Sequence, residues 1–450
     1  MTDLVILGAG GDLTSRYLVP ALAELDAAGA LADDFTITGV DRQPWDEDAF
    51  RQHLDRRLGG RTVPLLSRIR YHAGDVTDAA TLRAALRQPD APAVVYLALP
   101  PNVFPGAVTA LGALQLAPGS RIVVEKPFGD DLDSARRLNA LVHGVVPEED
   151  VFRVDHFLGK QTVQNILGLR FANRIFEAIW NAQHIERVDI VWDETLALEG
   201  RAGYYDTAGA LRDMIQNHLL QLLCLLAMEP PLNLGERALR DRKVDVLRAV
   251  RRMTDDDVRR LTVRARYAAG EAGGIAVAAY ADEAGIDPGR GTETFAAVTL
   301  HIDSWRWAGV PFTLRSGKAL EADRHEIRVR FRPVPHLAFD DQDEDPEPNV
   351  MRLQVNPDQL SLEVSLNGAG DPFQLERSEM SVALAPQDLS AYARLLVDVF
   401  EGDPILSIRA DETEEAWRII EPILDGWARG ATPLVEYPAG STGPVDPAAR

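Results

Sequence analysis

Four lysines stand among 43 arginines. In a chain so skewed toward arginine, a lysine that remains has a reason, such as a compact ammonium where a guanidinium fork does not fit. Three of the four sit in segments whose residue types could do chemistry. VVEKPFG (Val123–Gly129) closes an apolar run with Lys126 and a Pro-Phe-Gly turn. At the carboxyl end of a parallel strand Lys126 would point into a ligand cleft; the alternative is a surface Glu-Lys pair. RVDHFLGK (Arg153–Lys160) brings Asp155, His156 and Lys160 within six residues. On a helix His156 and Lys160 would share one face and could hold a phosphate. VPFTLRSGKAL (Val310–Leu320) ends a strand in a glycine turn bearing Lys318. Lys243, in DRKVDVLRAV, has no such company and reads as surface.

A base and a nucleotide turn complete the set. In EGRAGYYDTAGALRDMIQNHLLQLL (199–223), Asp213, Gln216, Asn217 and His218 interrupt an apolar helix pattern. Burying them requires partners, which a binding site supplies. His218 is the candidate base because histidine titrates nearest working pH; the alternative is a core histidine with its hydrogen bonds met. Asp213 lies five residues earlier, about 140° round an α-helix, and so does not orient His218. Asp155 can, across the domain junction. GAGGDLTSRYLVPAL (Gly8–Leu22) follows an apolar strand and opens a helix. Glycines there let backbone N–H groups approach a pyrophosphate, so Gly8, Ala9, Gly10, Gly11, Asp12, Leu13 and Thr14 form a candidate dinucleotide turn, although Leu13 stands where a third glycine is usual. The second strand ends Asp41-Arg42. An acid there reads the ribose of NAD, whereas an arginine favours the 2′-phosphate of NADP. With both present, NADP is expected to be accepted and NAD used alongside it, with Thr14 adding a hydroxyl.

The elements that must position these residues alternate as strand and helix over the first ~150 residues, the mark of a doubly wound parallel sheet. Runs such as HIERVDIVWDE, TFAAVTLHI, VPFTLRS, HEIRVRF, VMRLQV and LSLEVSL then group as strands, and helices near 387–401 and 412–428 close the chain. The expectation is an α/β Rossmann-type dinucleotide-binding domain over 1–154. An α+β domain with a mainly antiparallel sheet, for substrate and oligomerisation, is expected over 155–450. A length of 450 residues suits two domains. A net charge of −22 argues against nucleic-acid or anionic-membrane partners. One cysteine excludes a disulfide framework. The N-terminus lacks a basic targeting segment and the longest apolar run is too short to span a bilayer, so the chain reads as cytoplasmic. The acidic loop 339–349 starts like a calcium loop with Asp341, Asp343 and Asp345. Pro346 in place of glycine and Arg352 in place of the closing glutamate reject it. The tail from Pro438, rich in Pro, Gly and Ala, is expected to be loosely ordered.

In order, GAGGDL, LALPP (Leu97–Pro101), EKPFG, RVDHFLGK, FANRIFEAIWN, EGRAGYYD, RDMIQNHLLQLLCLLAMEPP, RGTETFAA and GVPFTLRSGKAL resemble glucose-6-phosphate dehydrogenases from about residue 4 to the last helix. The resemblance implies oxidation of the anomeric carbon of glucose 6-phosphate to a lactone, with hydride passing to NADP or NAD. It implies His218 as base held by Asp155, and His156 and Lys160 on the phosphate. Glu194 and Asp213 would accept from sugar hydroxyls, Lys126 would reach substrate and cofactor, Lys318 and Arg324 would lie on the sugar side, and Leu99 and Pro100 would line the cofactor cleft. No metal is needed, since a base and a hydride acceptor suffice. A homodimer or homotetramer built on the large sheet is implied. Alternatives are a relative acting on another hexose phosphate or sugar, and a nucleotide sensor that needs no base. Tyr17, Phe157 and Asp323 depart from the family pattern, where lysine, tyrosine and a cation are usual; each loses a donor or charge from phosphate binding.

Overall fold

Short apolar runs buried on both faces build the first sheet, because helices flanking a parallel sheet leave its strands no wet side. The computed structural model describes residues 3–59, 64–198, 202–339, 346–355, 357–370, 373–385 and 387–444. Contacts divide the chain into two compact units. One takes Met1–Lys160, Pro231–Asp241 and Gln387–Glu414, and the other takes Gln161–Pro230, Arg242–Pro386 and Glu415–Arg450. The first unit therefore includes two later segments that a single cut at residue 154 leaves out.

In that unit, β1 (Asp3–Leu7), β2 (Thr36–Asp41), β3 (Ile69–Ala73), β4 (Val94–Leu97), β5 (Arg121–Glu125) and β6 (Val151–Val154) lie in the order β3-β2-β1-β4-β5-β6. Every neighbouring pair is parallel. This is the Rossmann order, in which the crevice opens where it reverses, between β1 and β4. All residues of β1, β4 and β6 are buried. The helix Ala391–Glu401 belongs to the same unit. Its Leu395, Leu396 and Val399 join a core with Leu18, Leu22, Leu25 and Phe35.

The second unit carries β7 (Ile185–Asp193), β8 (Thr262–Ala268), a short hairpin of β9 (Gly270–Ala272) and β10 (Ile275–Val277), β11 (Phe295–His301), β12 (Pro311–Gly317), β13 (Arg324–Phe331), β14 (Val350–Gln354), β15 (Gln359–Asn367), β16 (Leu375–Ala383) and β17 (Leu434–Pro438). Among the described residues nine strands form one sheet, ordered β16-β15-β14-β13-β7-β12-β11-β8-β17. Its pairs are antiparallel except β7–β12 and β8–β17. The mainly antiparallel sheet is thus present, with two parallel seams.

Lys243 corrects the sequence reading: it is buried, at 1% exposure. In the helix Glu236–Ala249 it follows Leu239 by four and precedes Leu247 by four, which sets it on the buried stripe. The tail also differs from expectation, for Ala439 is buried and Gly440 N donates to Ala319 O at 2.8 Å. Strand β17 carries the chain there by pairing with β8. Asp341, Asp343 and Asp345 of the acidic loop lie outside the described residues. No helix among the described residues is long and apolar enough to cross a membrane.

Candidate active site

In the first unit β1 runs straight into the glycine turn. Gly8 adopts φ +84°, and a Cβ built on it would fall 2.3 Å from Ala98 O, so no side chain fits where the turn meets β4. Gly8 N and Ala9 N both donate to Val40 O, at 2.8 and 3.1 Å, tying the turn to β2. A cleft of 380 Å³ opens beside it, lined by Gly8, Gly10, Gly11, Asp41, Arg42, Leu99 and Pro100 together with Gln43, Val76, Ala98 and Val103. A side-chain-free cradle at the reversal of strand order fits the pyrophosphate of a dinucleotide. Ala9, Asp12, Leu13, Thr14 and Lys126, also named from sequence, are not among the lining residues. Ala9 and Thr14 are buried, Asp12 pairs with Arg57 at 3.2 Å, and Leu13 packs on the core. Val76 was missed because it follows β3, a strand that the charged run IRYHA conceals.

The acid and the arginine at the end of β2 face different partners. The Asp41 carboxylate accepts from Gly10 N at 2.9 Å, which holds it against the glycine turn. Arg42 is exposed and meets Asp75 at 3.2 Å. Hydrogen bonds from Thr77 hold the Asp75 carboxyl below its usual range, with Arg42 adding to the effect.

Beyond β6, residues 155–160 form successive turns and not a helix. Leu158 N, Gly159 N and Lys160 N donate to Asp155 O, His156 O and Phe157 O at 3.0, 3.2 and 3.0 Å; the helix Gln161–Phe171 begins only afterwards. The shared helical face expected for His156 and Lys160 is therefore absent, yet both meet at Phe157. The His156 ring stands edge-on to it at 5.0 Å, and Lys160 Nζ lies 5.0 Å from its centroid. Asp155 is buried, and its Oδ1 accepts from Phe157 N at 2.9 Å. Two further residues belong to this region: Glu125, read from sequence only as one half of a Glu-Lys pair, and Tyr392, which no motif singles out. Tyr96 Oη donates to Glu125 Oε1 at 2.5 Å, while the Tyr392 ring stacks on the His156 imidazole at 5.6 Å. Glu125 keeps some exposed surface, but its carboxyl is enclosed. Burial pushes it up to about 7, against the pull of the Tyr96 hydroxyl and the Lys126 charge.

In the second unit the helix expected over about 207–228 is three pieces. Ala202–Ala210 ends at Gly209 with φ +69° and ψ 171°, Leu211–Leu219 is wound as a π-helix, and Leu220–Ala227 returns to α. With i→i+5 hydrogen bonding, residues five apart lie near one face. The 140° separation of Asp213 and His218 therefore does not hold. Glu293 starts the π segment: its Oε1 accepts from Leu211 N at 3.0 Å, and its backbone oxygen accepts from Ala210 N at 3.1 Å. His218 is buried at 1% exposure, and its N–H donates to Asn217 Oδ1 at 2.6 Å.

Parallel neighbours β7 and β12 end side by side, and Glu194 N donates to Gly317 O at 2.8 Å. Glu194 and Lys318 consequently form an ion pair. Lys318 Nζ also lies 5.4 Å over the Tyr205 ring. Burial raises the Tyr205 phenol strongly, and the charges of Asp213, Glu293 and Glu194 add to this. Arg324 is engaged differently. From Nε and Nη2 it reaches Asp193 Oδ2 at 3.0 and 2.6 Å, while Arg315 Nε holds the other oxygen at 3.0 Å. Asp323 accepts from Thr195 N and Oγ1 at 2.6 and 3.0 Å.

Two family models match the chain. "Glucose-6-phosphate dehydrogenase, NAD binding domain" covers residues 5–165, and "Glucose-6-phosphate dehydrogenase, C-terminal domain" covers 167–449. A glucose-6-phosphate 1-dehydrogenase of Zymomonas mobilis is 41% identical over 468 residues, spanning 99% of this chain and 96% of the relative. Among solved structures, a glucose-6-phosphate 1-dehydrogenase from Mycobacterium avium aligns with TM-score 0.86 at 35% identity, covering 99% of this chain and 96% of that one. A glucose-6-phosphate dehydrogenase in complex with its substrate glucose 6-phosphate aligns at 0.87 and 31% identity, covering 98% and 95%.

Proposed function

The chain belongs to the glucose-6-phosphate dehydrogenase family, and from that premise we propose the part each residue plays. The protein is a nicotinamide-dependent oxidoreductase that converts D-glucose 6-phosphate to 6-phosphogluconolactone. The cofactor, when bound, takes the hydride that leaves C1. As that hydride leaves, the anomeric hydroxyl gives up its proton, so that C1 and its oxygen close to the lactone carbonyl. His218 is the base that receives the proton, and Asp155 is the carboxylate that keeps its tautomer and stabilises its charged form. His156 and Lys160 hold the 6-phosphate, while Lys126 serves substrate and cofactor. Glu194 and Asp213 accept from sugar hydroxyls, and Lys318 holds Glu194 in place. Arg324 acts through Asp193, fixing the end of β7 from which Glu194 projects.

The observation that carries this reading is the Glu194–Lys318 ion pair set over the Tyr205 ring, in a chain that matches the family almost end to end. For the cofactor, we read NADP as accepted and NAD as used alongside it, because Asp41 and Arg42 both line the cleft. The reading extends to a homodimer or homotetramer, as the resemblance implies, and to a cytoplasmic location.

Steady-state rates with glucose 6-phosphate, free glucose and other hexose 6-phosphates, each with both cofactors, test the assignment. The highest kcat/KM is expected for glucose 6-phosphate, and a clear preference for another sugar overturns it. His218→Asn should lower kcat by about 10²–10⁴-fold with a small change in KM. Near-normal turnover would remove His218 from the mechanism.

A further inference from the structure

Tyr392 is the second residue of the helix Ala391–Glu401, more than 230 positions beyond His156 in the chain. Its ring stacks on the His156 imidazole at 5.6 Å with 11° between planes, and on Tyr17 at 5.2 Å and 28°. The start of that helix is fixed in turn. Ser390 Oγ accepts from Ala393 N at 3.3 Å, and Ser390 N donates to Glu24 Oε1 at 2.7 Å. Gln387 Nε2 donates to Gly159 O at 3.1 Å. Gly159 lies so close that an added Cβ would fall 2.5 Å from Ala391 O. The turn bearing His156 and the helix bearing Tyr392 are thus locked together by backbone approach, and the two rings meet nearly parallel.

An imidazole on a turn has two side-chain torsions to fix before one of its nitrogens can meet an anion repeatedly in one place. Here the Phe157 edge and the Tyr392 face define its plane. Tyr392 has no nucleophilic or proton-transfer task in the reaction as assigned. We propose that Tyr392 is a positioning residue that holds the His156 ring for the 6-phosphate, with Tyr17 bracing Tyr392 from the glycine-turn side. The stack sets the enzyme's preference for phosphorylated over free sugar without touching either. This rests on the reading of His156 as a phosphate ligand.

Full-length Tyr392→Leu, Tyr17→Ala and Tyr17→Phe, with His156→Ala as reference, should be assayed with glucose 6-phosphate and with free glucose. Tyr392→Leu and Tyr17→Ala are expected to raise KM for glucose 6-phosphate about two- to tenfold, the worth of a ring pair. KM for free glucose and kcat should stay within about twofold on the same scale. Tyr17→Phe keeps a ring and should restore the wild-type value. Tyr17 is 45% exposed, so its variants remain informative should Tyr392→Leu fail to fold. If His156→Ala raises KM for the phosphorylated sugar selectively and neither Tyr392→Leu nor Tyr17→Ala does, the positioning role is wrong. If His156→Ala itself shows no selectivity, the phosphate assignment fails first.

Discussion

Asp41 and Arg42 divide the cofactor question between them. A carboxylate tied to Gly10 N–H stands where the adenosine ribose is read, and its charge opposes a 2′-phosphate. The neighbouring guanidinium attracts one, but Asp75 shares it. Asp41→Ala should raise the NADP to NAD ratio of kcat/KM by about tenfold, the size of one interaction with a charged group. Arg42→Ala should lower it by a similar factor. A ratio unmoved by Arg42→Ala means that Arg42 is not the 2′-phosphate ligand. Glu125 gives a second test at this scale. Its carboxyl is pushed up to about 7 from the ordinary 4.5, first by burial. The raised value favours the neutral form in the folded protein. The stability this contributes is complete below pH 4.5 and is lost as pH rises through 7. Glu125→Gln, neutral throughout, should show none of that loss. Urea midpoints of the two proteins between pH 5 and 8 should therefore converge or cross with rising pH, and parallel profiles would show that the carboxyl is ionised across the range. The departures from the family pattern also find partners: Phe157 lies under Lys160, Tyr17 stacks on Tyr392, and Asp323 accepts from Thr195.

Gly209 carries the element-scale argument. It breaks the helix at φ +69°, and a Cβ there would stand 2.4 Å from Glu293 Oε1, the atom that accepts from Leu211 N. Gly209→Ala combines a left-handed conformation with a clash and should cost about 1–3 kcal/mol or more. Because the displaced carboxyl starts the segment that carries Asp213 and His218, kcat should fall with Tm. An unchanged Tm and kcat would mean that Glu293 moves aside freely. The sequence could not reveal this arrangement: a run of nine residues reads the same wound α or π, and only i→i+5 bonding brings Asp213 back toward the face of His218. Strands β1, β2, β4 and β5 were legible as short apolar runs between helices. Strand β3 (IRYHA) was not, because Arg70 is exposed and His72 half-exposed where a buried strand should be apolar. Strand β6 (VFRV) hid likewise, with Arg153 buried against Glu148 at 2.8 Å. Strands β8 (TVRARYA) and β16 (LERSEMSVA) are charged on their open sides for the same reason. The site segments were legible because several chemical residue types crowd into six to ten positions. His156 with Tyr392, and Leu211 with Glu293, were not, since contacts across more than 80 residues leave no spacing to read.

At the scale of the molecule, a chain of net charge −22 binds two anionic ligands. Attraction must then come from groups placed locally, the part proposed for Arg42, Lys126, His156 and Lys160, while the field of the whole opposes approach. The unit that holds the cofactor cleft is also assembled from three separated stretches of chain. Leu395, Leu396 and Val399 cover Leu18, Leu22, Leu25 and Phe35, and Phe400 meets Phe35 edge-on at 5.1 Å. A fragment ending at residue 160 keeps all six strands of its sheet but lacks that cover. It is expected to melt without a cooperative transition, and to gain one when a peptide spanning 387–414 is added. A sharp melt of the fragment alone would show that the cover is dispensable. During synthesis the ribosome emits residue 160 well before residue 391. At about 5–20 residues per second the interval is roughly ten to fifty seconds. For that time the newborn sheet shows an open greasy flank, the kind of surface on which chaperones act. A premature stop anywhere upstream of the helix Ala391–Glu401 would therefore destroy the nucleotide fold at the opposite end of the message, although every residue of the glycine turn had already been made.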